Sequence, residues 1–134
     1  MQIKIETPGS DAFTELNARL VRFNRESAPW THEAFTVAAY GDDGALVGGA
    51  HGIVTMGLVE IRSLWVNPPH RKTGLGARLM TMLELHARSL GASRAALYTY
   101  DWQARGLYEK LGYTVFGTLD YPGGAERYYM RKDL

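Results

Sequence analysis

The stretch Val66-Asn67-Pro68-Pro69-His70-Arg71-Lys72-Thr73-Gly74-Leu75-Gly76 concentrates residue types that suit a phosphorylated ligand. It lies where a β-rich run gives way to a long helical pattern. A helix start offers unpaired backbone N–H groups and the positive end of the macrodipole. Glycine at 74 and 76 lets a phosphate approach the backbone, Arg71 offers a fork of donors, and Lys72 offers a point charge. These types predict a pyrophosphate cradle built from Arg71, Lys72, Thr73, Gly74, Leu75, Gly76 and Ala77. The bland alternative is that two glycines open a helix tightly against a strand, and a Gly-x-Gly alone does not separate the two. Two other phosphate motifs fail here. Nothing matches the P-loop, and the dinucleotide fingerprint would need glycine where Leu79 stands.

The chain has no cysteine, which excludes disulfides, thiolate metal sites and a covalent acyl-cysteine intermediate. An acyl transfer would have to be direct. His32, His51, His70 and His86 show no metal-ligand spacing, so no metal is expected. His51 lies in a strand-like run where it either faces a pocket or serves as a structural histidine. Tyr98, Tyr100 and Asp101, at the end of another strand-like run, carry the same two readings.

The elements that must position these residues follow from periodicity and punctuation. Residues 2–6 alternate around Ile3 and Ile5 and suit a first strand, ended by Pro8 and Gly9. Ser10 can cap a helix whose stripe is Phe13, Leu16, Leu20 and Phe23, which is expected to pack on the sheet. Residues 34–40 and 45–55 read as a hairpin around Gly41-Asp42-Asp43-Gly44. After Gly57, residues 58–66 suit a central strand stopped by Pro68 and Pro69. The longest helix starts at Gly74, with Leu75, Leu79, Met82, Leu83, His86 and Leu90 along one side, and ends at Gly91. Residues 94–100 read as a strand, 103–111 as a short helix, and 113–117 and 127–131 as the last strands. The order βαβββαβαββ implies an α/β fold of the mixed α+β kind. About seven strands would form a mixed sheet flanked by helices.

At the glycine loop the sequence resembles the GNAT superfamily of acetyl-CoA-dependent N-acetyltransferases. The family signature of Arg or Gln, two residues, Gly, one residue, then Gly or Ala is met by Arg71-Lys72-Thr73-Gly74-Leu75-Gly76. Leu64-Trp65-Val66-Asn67-Pro68 is similar to the family's central strand. Gln103-Ala104-Arg105-Gly106-Leu107-Tyr108-Glu109-Lys110-Leu111-Gly112-Tyr113 is similar to its later helix and strand entry. The resemblance implies a GNAT-like splayed sheet whose bulged central strand parts from its neighbour. Pantetheine would then add to exposed backbone at Leu64, Trp65 and Val66 beside residues 97–100. A bulge leaves backbone groups unpaired, which suits a ligand carrying two amides.

The same resemblance implies roles for single residues. Glu60 stands where some members carry a general base, and its other reading is an ion pair with Arg62, which shares its face if no bulge intervenes. Tyr108 matches a tyrosine near the CoA sulfur. A phenol with a reference pKa of about 10 can protonate a thiolate, or the residue simply packs on the sheet. The backbone N–H of Leu64 or Trp65 would polarise the thioester carbonyl. Gln103 replaces an asparagine that reaches pantetheine, and the Trp65 ring reads as packing. The implied activity is direct acetyl transfer from acetyl-CoA to a primary amine of a small molecule. Acetylation of a protein lysine, an N-terminus or aminoacyl-tRNA is one alternative, and a non-catalytic acyl-CoA binder is the other.

A chain of 134 residues has the commonest domain size, so residues 1–134 are expected to form one domain. Apolar residues at 46% and charged residues at 22% fit a soluble protein rather than a disordered or membrane-embedded one. The net charge of +1, from 15 basic and 14 acidic residues, argues against nucleic acid as a partner. No signal-peptide pattern opens the chain and no apolar run is long enough to span a bilayer, so a cytoplasmic location is expected. A homodimer is compatible with a compact domain of this size.

Overall fold

A computed structural model describes all 134 residues. The backbone forms two compact units, Met1–Thr31 and His32–Leu134. The first holds one helix, α1 (Asp11–Ser27), entered through Ser10 in extended conformation and carrying an Arg19–Glu15 ion pair one turn apart. Its stripe of Phe13, Leu16, Leu20 and Phe23 is exposed. Residues 2–6 form no strand, and Ile3 and Ile5 stand almost fully exposed. A two-residue apolar alternation is too short to specify a strand without a pairing partner. The order is therefore αβββαβαββ, with six strands instead of the expected seven or so.

The second unit is a mixed sheet of β1 (Glu33–Tyr40), β2 (Leu46–Thr55), β3 (Leu58–Val66), β4 (Arg94–Tyr100), β5 (Thr114–Asp120) and β6 (Glu126–Asp133). Their spatial order is β1-β2-β3-β4-β6-β5. The hairpins read from Gly41 to Gly44 and from Gly57 are present as antiparallel pairs of β1 with β2 and β2 with β3. Between β3 and β4, the parallel pair, runs the crossover helix α2 (Leu75–Ser89). The short helix α3 (Arg105–Lys110) joins β4 to β5.

One face of the sheet and α2 share the core. Val37, Ala50, Val54, Val59, Ile61, Ala95, Leu97 and Met130 from the strands meet Leu79, Met80, Leu83 and Ala87 from the helix, all nearly inaccessible. The stripe predicted through Met82 is off by one position. Met82 is exposed, because at 100° per residue it points away from the line through 79, 83 and 87. Close approach is secured by β2. A Cβ on Gly48 would meet the Trp65 carbonyl at 2.9 Å and the Leu79 side chain at 3.3 Å.

One ion pair ties α2 to the far end of the sheet. Buried Glu84 accepts from the Lys132 ammonium at 2.6 and 3.0 Å. Removing one partner of such a pair typically costs about 3–5 kcal/mol, because the remaining charge is stranded. No helix is long and apolar enough to cross a membrane.

Candidate active site

The defining geometry is a fork in the sheet. β3 pairs with β4 only at Leu58↔Arg94, Val59↔Ala95 and Glu60↔Ala96, although both strands run on, to Val66 and Tyr100. On its other side β3 stays paired with β2, but with a bulge: His51 faces Ser63 and Gly52 faces Ile61, leaving Arg62 as the extra residue. From 61 to 66 the β4-facing edge of β3 therefore has no strand to satisfy it, and backbone groups on that edge seek another partner.

A groove of about 1020 Å³ opens at this fork. That volume lies at the upper end of the ~300–1,000 Å³ usual for ligand sites. One wall is Leu64, Trp65 and Val66 of β3. Another is Arg71, Lys72, Gly74, Leu75, Gly76 and Ala77 at the start of α2, and a third is Gln103, Leu107 and Tyr108 around α3. Tyr98, Tyr100 and Trp102 close the β4 side. The structure thus brings together every predicted cofactor residue except Thr73, which donates to the His70 carbonyl at 2.5 Å and shapes the turn instead of lining the groove. Glu60 is likewise absent from the lining.

Why the loop takes this form is local. Pro68 and Pro69 stop β3 and make a short 3-10 turn to His70. Lys72 and Gly74 then adopt left-handed backbone angles, φ 60° and 84°. Glycine at 74 carries this without the Cβ penalty, whereas Lys72 holds mild strain. No side chain caps α2, and its first intrahelical bond is Arg78 N–H to the Gly74 carbonyl at 3.1 Å. The N–H groups of Leu75, Gly76 and Ala77 are left to an outside acceptor, in the dipole-favoured place for an anion. These groups fit a diphosphate.

Arg71 donates from Nε to the Val66 carbonyl at 2.9 Å, and its guanidinium lies 4.8 Å from the Trp65 ring centre. The remaining guanidinium hydrogens stay available to a phosphate oxygen. Trp65 is half exposed and donates to Asn67 Oδ1 at 2.8 Å, so its ring is a shelf for Arg71 and not the core packing expected. Gln103 accepts at Oε1 from Tyr100 N–H at 3.1 Å and from Thr99 at 3.2 Å. Its carbonyl end therefore caps β4.

Tyr108 lines the groove, and burial raises its phenol above the ordinary pKa. It stays a proton donor to higher pH than a free tyrosine. Glu60, the last residue paired before the strands part, holds Arg62 Nε at 3.1 Å. The ion-pair reading is thus realised in spite of the bulge, with both side chains about half exposed. His51 hydrogen-bonds Thr36 at 2.8 Å, His32 hydrogen-bonds Thr55 at 3.1 Å, and His86 packs edge-on against Phe35. His70 lines the groove and Asp101 does not.

Sequence reading flagged Tyr98 and Tyr100 but did not join them to Arg127, Tyr121 and Tyr129. Arg127 lies opposite Tyr100 in the β4–β6 ladder, and Tyr129 opposite Tyr98, so the four share one face. The Arg127 guanidinium stands 4.1 Å from the Tyr98 ring centre and 5.3 Å from those of Tyr100 and Tyr121. It donates to the Tyr100 hydroxyl at 2.9 Å and to that of Tyr129 at 3.1 Å. The Tyr121 hydrogen bond and then Arg127 hold the Tyr100 phenol below its ordinary pKa. The available signal was period-2 tyrosine spacing at 98/100 and Arg127/Tyr129, legible only once the ladder register is known.

Comparison with known proteins agrees with this geometry. A profile of the acetyltransferase (GNAT) family matches residues 7–113. The chain is 35% identical over 104 residues to the blasticidin-S acetyltransferase of Streptomyces morookaense, covering 76% of each protein. A crystal structure from Agrobacterium tumefaciens superposes with a TM-score of 0.92 at 23% identity, over 100% of this chain and 99% of that one, and shows the same fold. An aminoglycoside 6'-N-acetyltransferase crystallised with coenzyme A gives a TM-score of 0.67 at 27% identity, over 75% of this chain and 73% of that one.

Proposed function

The chain belongs to the acetyltransferase (GNAT) family and uses acetyl-CoA, and from that premise we propose that it acetylates a primary amine of a small molecule by direct transfer. The observation that carries this reading is the fork. An unpaired strand edge opens directly beside an uncapped helix start. The diphosphate is assigned to the amides of Leu75, Gly76 and Ala77, with Lys72 and Arg71 on its oxygens. The pantetheine amides are assigned to the free edge at Leu64, Trp65 and Val66, with Gln103 and Tyr108 across from them. A Leu64 N–H aimed at the thioester oxygen would stabilise charge that develops only in the transition state.

Proton traffic then divides between two sides of the fork. Tyr108 gives a proton to the departing sulfur, and its raised pKa suits a group that must remain protonated. Glu60, at the closed end, accepts the amine proton through water, with Arg62 holding its carboxylate in place. Arg62, Arg71 and Lys72 line the groove while no Asp or Glu does. That cationic setting favours the neutral form of an incoming amine. A small acceptor also accords with relatives named for blasticidin S and aminoglycosides.

The test is a time course of free thiol release from acetyl-CoA with and without a panel of amines, analysed for acetylated product. Release that requires amine and yields one acetylated amine per thiol supports direct transfer. Tight CoA binding with no amine-dependent release would reduce the protein to a binder.

A further inference from the structure

The Arg127 site carries a consequence for the acceptor, resting on the reading of the groove as an amine acetyltransferase site. Four arginines lie in the strands. Arg62 pairs with Glu60, and Arg94 and Arg131 pair with Asp133. Arg127 has no carboxylate within ion-pair distance, although it is half-buried. Phenols surround it instead, and one hydrogen on each terminal nitrogen is committed to Tyr129 and Tyr100. Its buried Nε–H has no partner and one hydrogen on each terminal nitrogen is uncommitted, so donors remain for an oxyanion.

Position links this cation to the chemistry. Tyr98 and Tyr100 form the ring walls of Arg127 and also line the groove. Arg127, Tyr98 and Tyr100 project from the sheet face opposite the one that packs on α2, because their strand neighbours Leu97, Thr99 and Met130 are the buried ones. Cofactor phosphates are held at the start of α2, so a second substrate meeting the fork from the opposite face passes this cation. We propose that Arg127 anchors an oxyanion on the acceptor, so that preferred substrates are amines that also carry a carboxylate or a phosphate. A polycationic amine finds no acidic side chain along the groove.

The experiment measures kcat/KM at saturating acetyl-CoA for matched amines. The set contains amino acids beside their methyl esters, aminoalkyl phosphates beside the corresponding alcohols, and diamines. Anionic members should exceed their neutral partners by about 10-fold or more, the scale of a charge-assisted bidentate contact. The carboxylate and phosphate arms show which oxyanion is read. Arg127→Gln should erase that preference by raising KM for anionic acceptors, while leaving neutral acceptors and the KM for acetyl-CoA in place. Arg127→Lys should restore part of it. Equal turnover of charged and neutral partners by the wild type, or preference for diamines, would overturn the anchor yet leave the acetyltransferase reading intact. Failure of every amine despite CoA binding would remove both. The wild-type panel decides the matter even if Arg127→Gln does not fold.

Discussion

The two sides of the groove are built from different materials. On the α2 side the groups open to the groove are backbone amides 75–77 and the free edge of β3, shaped by Gly74, the left-handed Lys72 and the bulge at Arg62. On the β4–β6 side they are side chains, namely Tyr98, Tyr100 and Trp102, with Arg127 packed against the two tyrosines. Backbone recognition demands particular glycines at fixed spacing and tolerates most other substitutions. Side-chain recognition demands particular residues, but at sites scattered over thirty positions of chain. A cofactor shared by a family suits the first strategy, and an acceptor that varies between members suits the second.

The largest effect that would sharpen this division is at Tyr108. Tyr108→Phe should lower kcat by about 100-fold, the low end for a positioned proton donor, with little change in the KM for acetyl-CoA. Because burial raises this phenol, the wild-type kcat should show no loss from its ionisation until pH exceeds the ordinary tyrosine range. A wild-type kcat in the variant, or a fall in the native enzyme's rate below pH 10 that Tyr108→Phe abolishes, would contradict the assignment.

Next in size are two substitutions, one at the helix start and one at the closed end of the fork. Arg71→Ala should raise the KM for acetyl-CoA about tenfold, as expected for one charged hydrogen-bonding group, and leave the acceptor KM alone. Glu60→Gln should do neither, and should lower the rate by about tenfold at acidic pH, where the amine is hardest to deprotonate. A pH profile parallel to that of the wild type would show that Glu60 only holds Arg62. If Arg71→Ala moved the acceptor KM instead, the two walls would not be functionally separate.

The same division explains what could be read from sequence. The turn after β3, the helix at 75 and the strand at 94 were legible because proline, glycine and short-range spacing dictate them locally, whereas Tyr108 was singled out by family resemblance. The bulge and the parting of β3 from β4 came from family resemblance, since pairing that stops at Glu60↔Ala96 has no local sequence mark. Arg127 was not connected with Tyr98 and Tyr100 because that link depends on register with Tyr100, 27 positions away. Residues 2–6 failed the other way. Alternation predicted a strand, but a strand exists only where another offers hydrogen bonds.

The smallest effect is the most discriminating. Gly76 has ordinary backbone angles, and a Cβ there would meet only Leu107 Cδ2 at 3.4 Å and Val66 Cγ2 at 3.9 Å, normal contacts. The fold does not require glycine at 76, and alanine is the better helix former, so Gly76→Ala should leave the melting temperature unchanged or slightly raised. Both contacting side chains line the groove, so the added methyl lies where a phosphate would press against the helix start. A severalfold rise in the KM for acetyl-CoA without loss of stability would then report ligand contact, because no structural damage accompanies it. An unchanged KM would mean that the methyl clears the diphosphate, in keeping with the alanine that the family signature allows at this position, and that the glycine needed for close approach is Gly74.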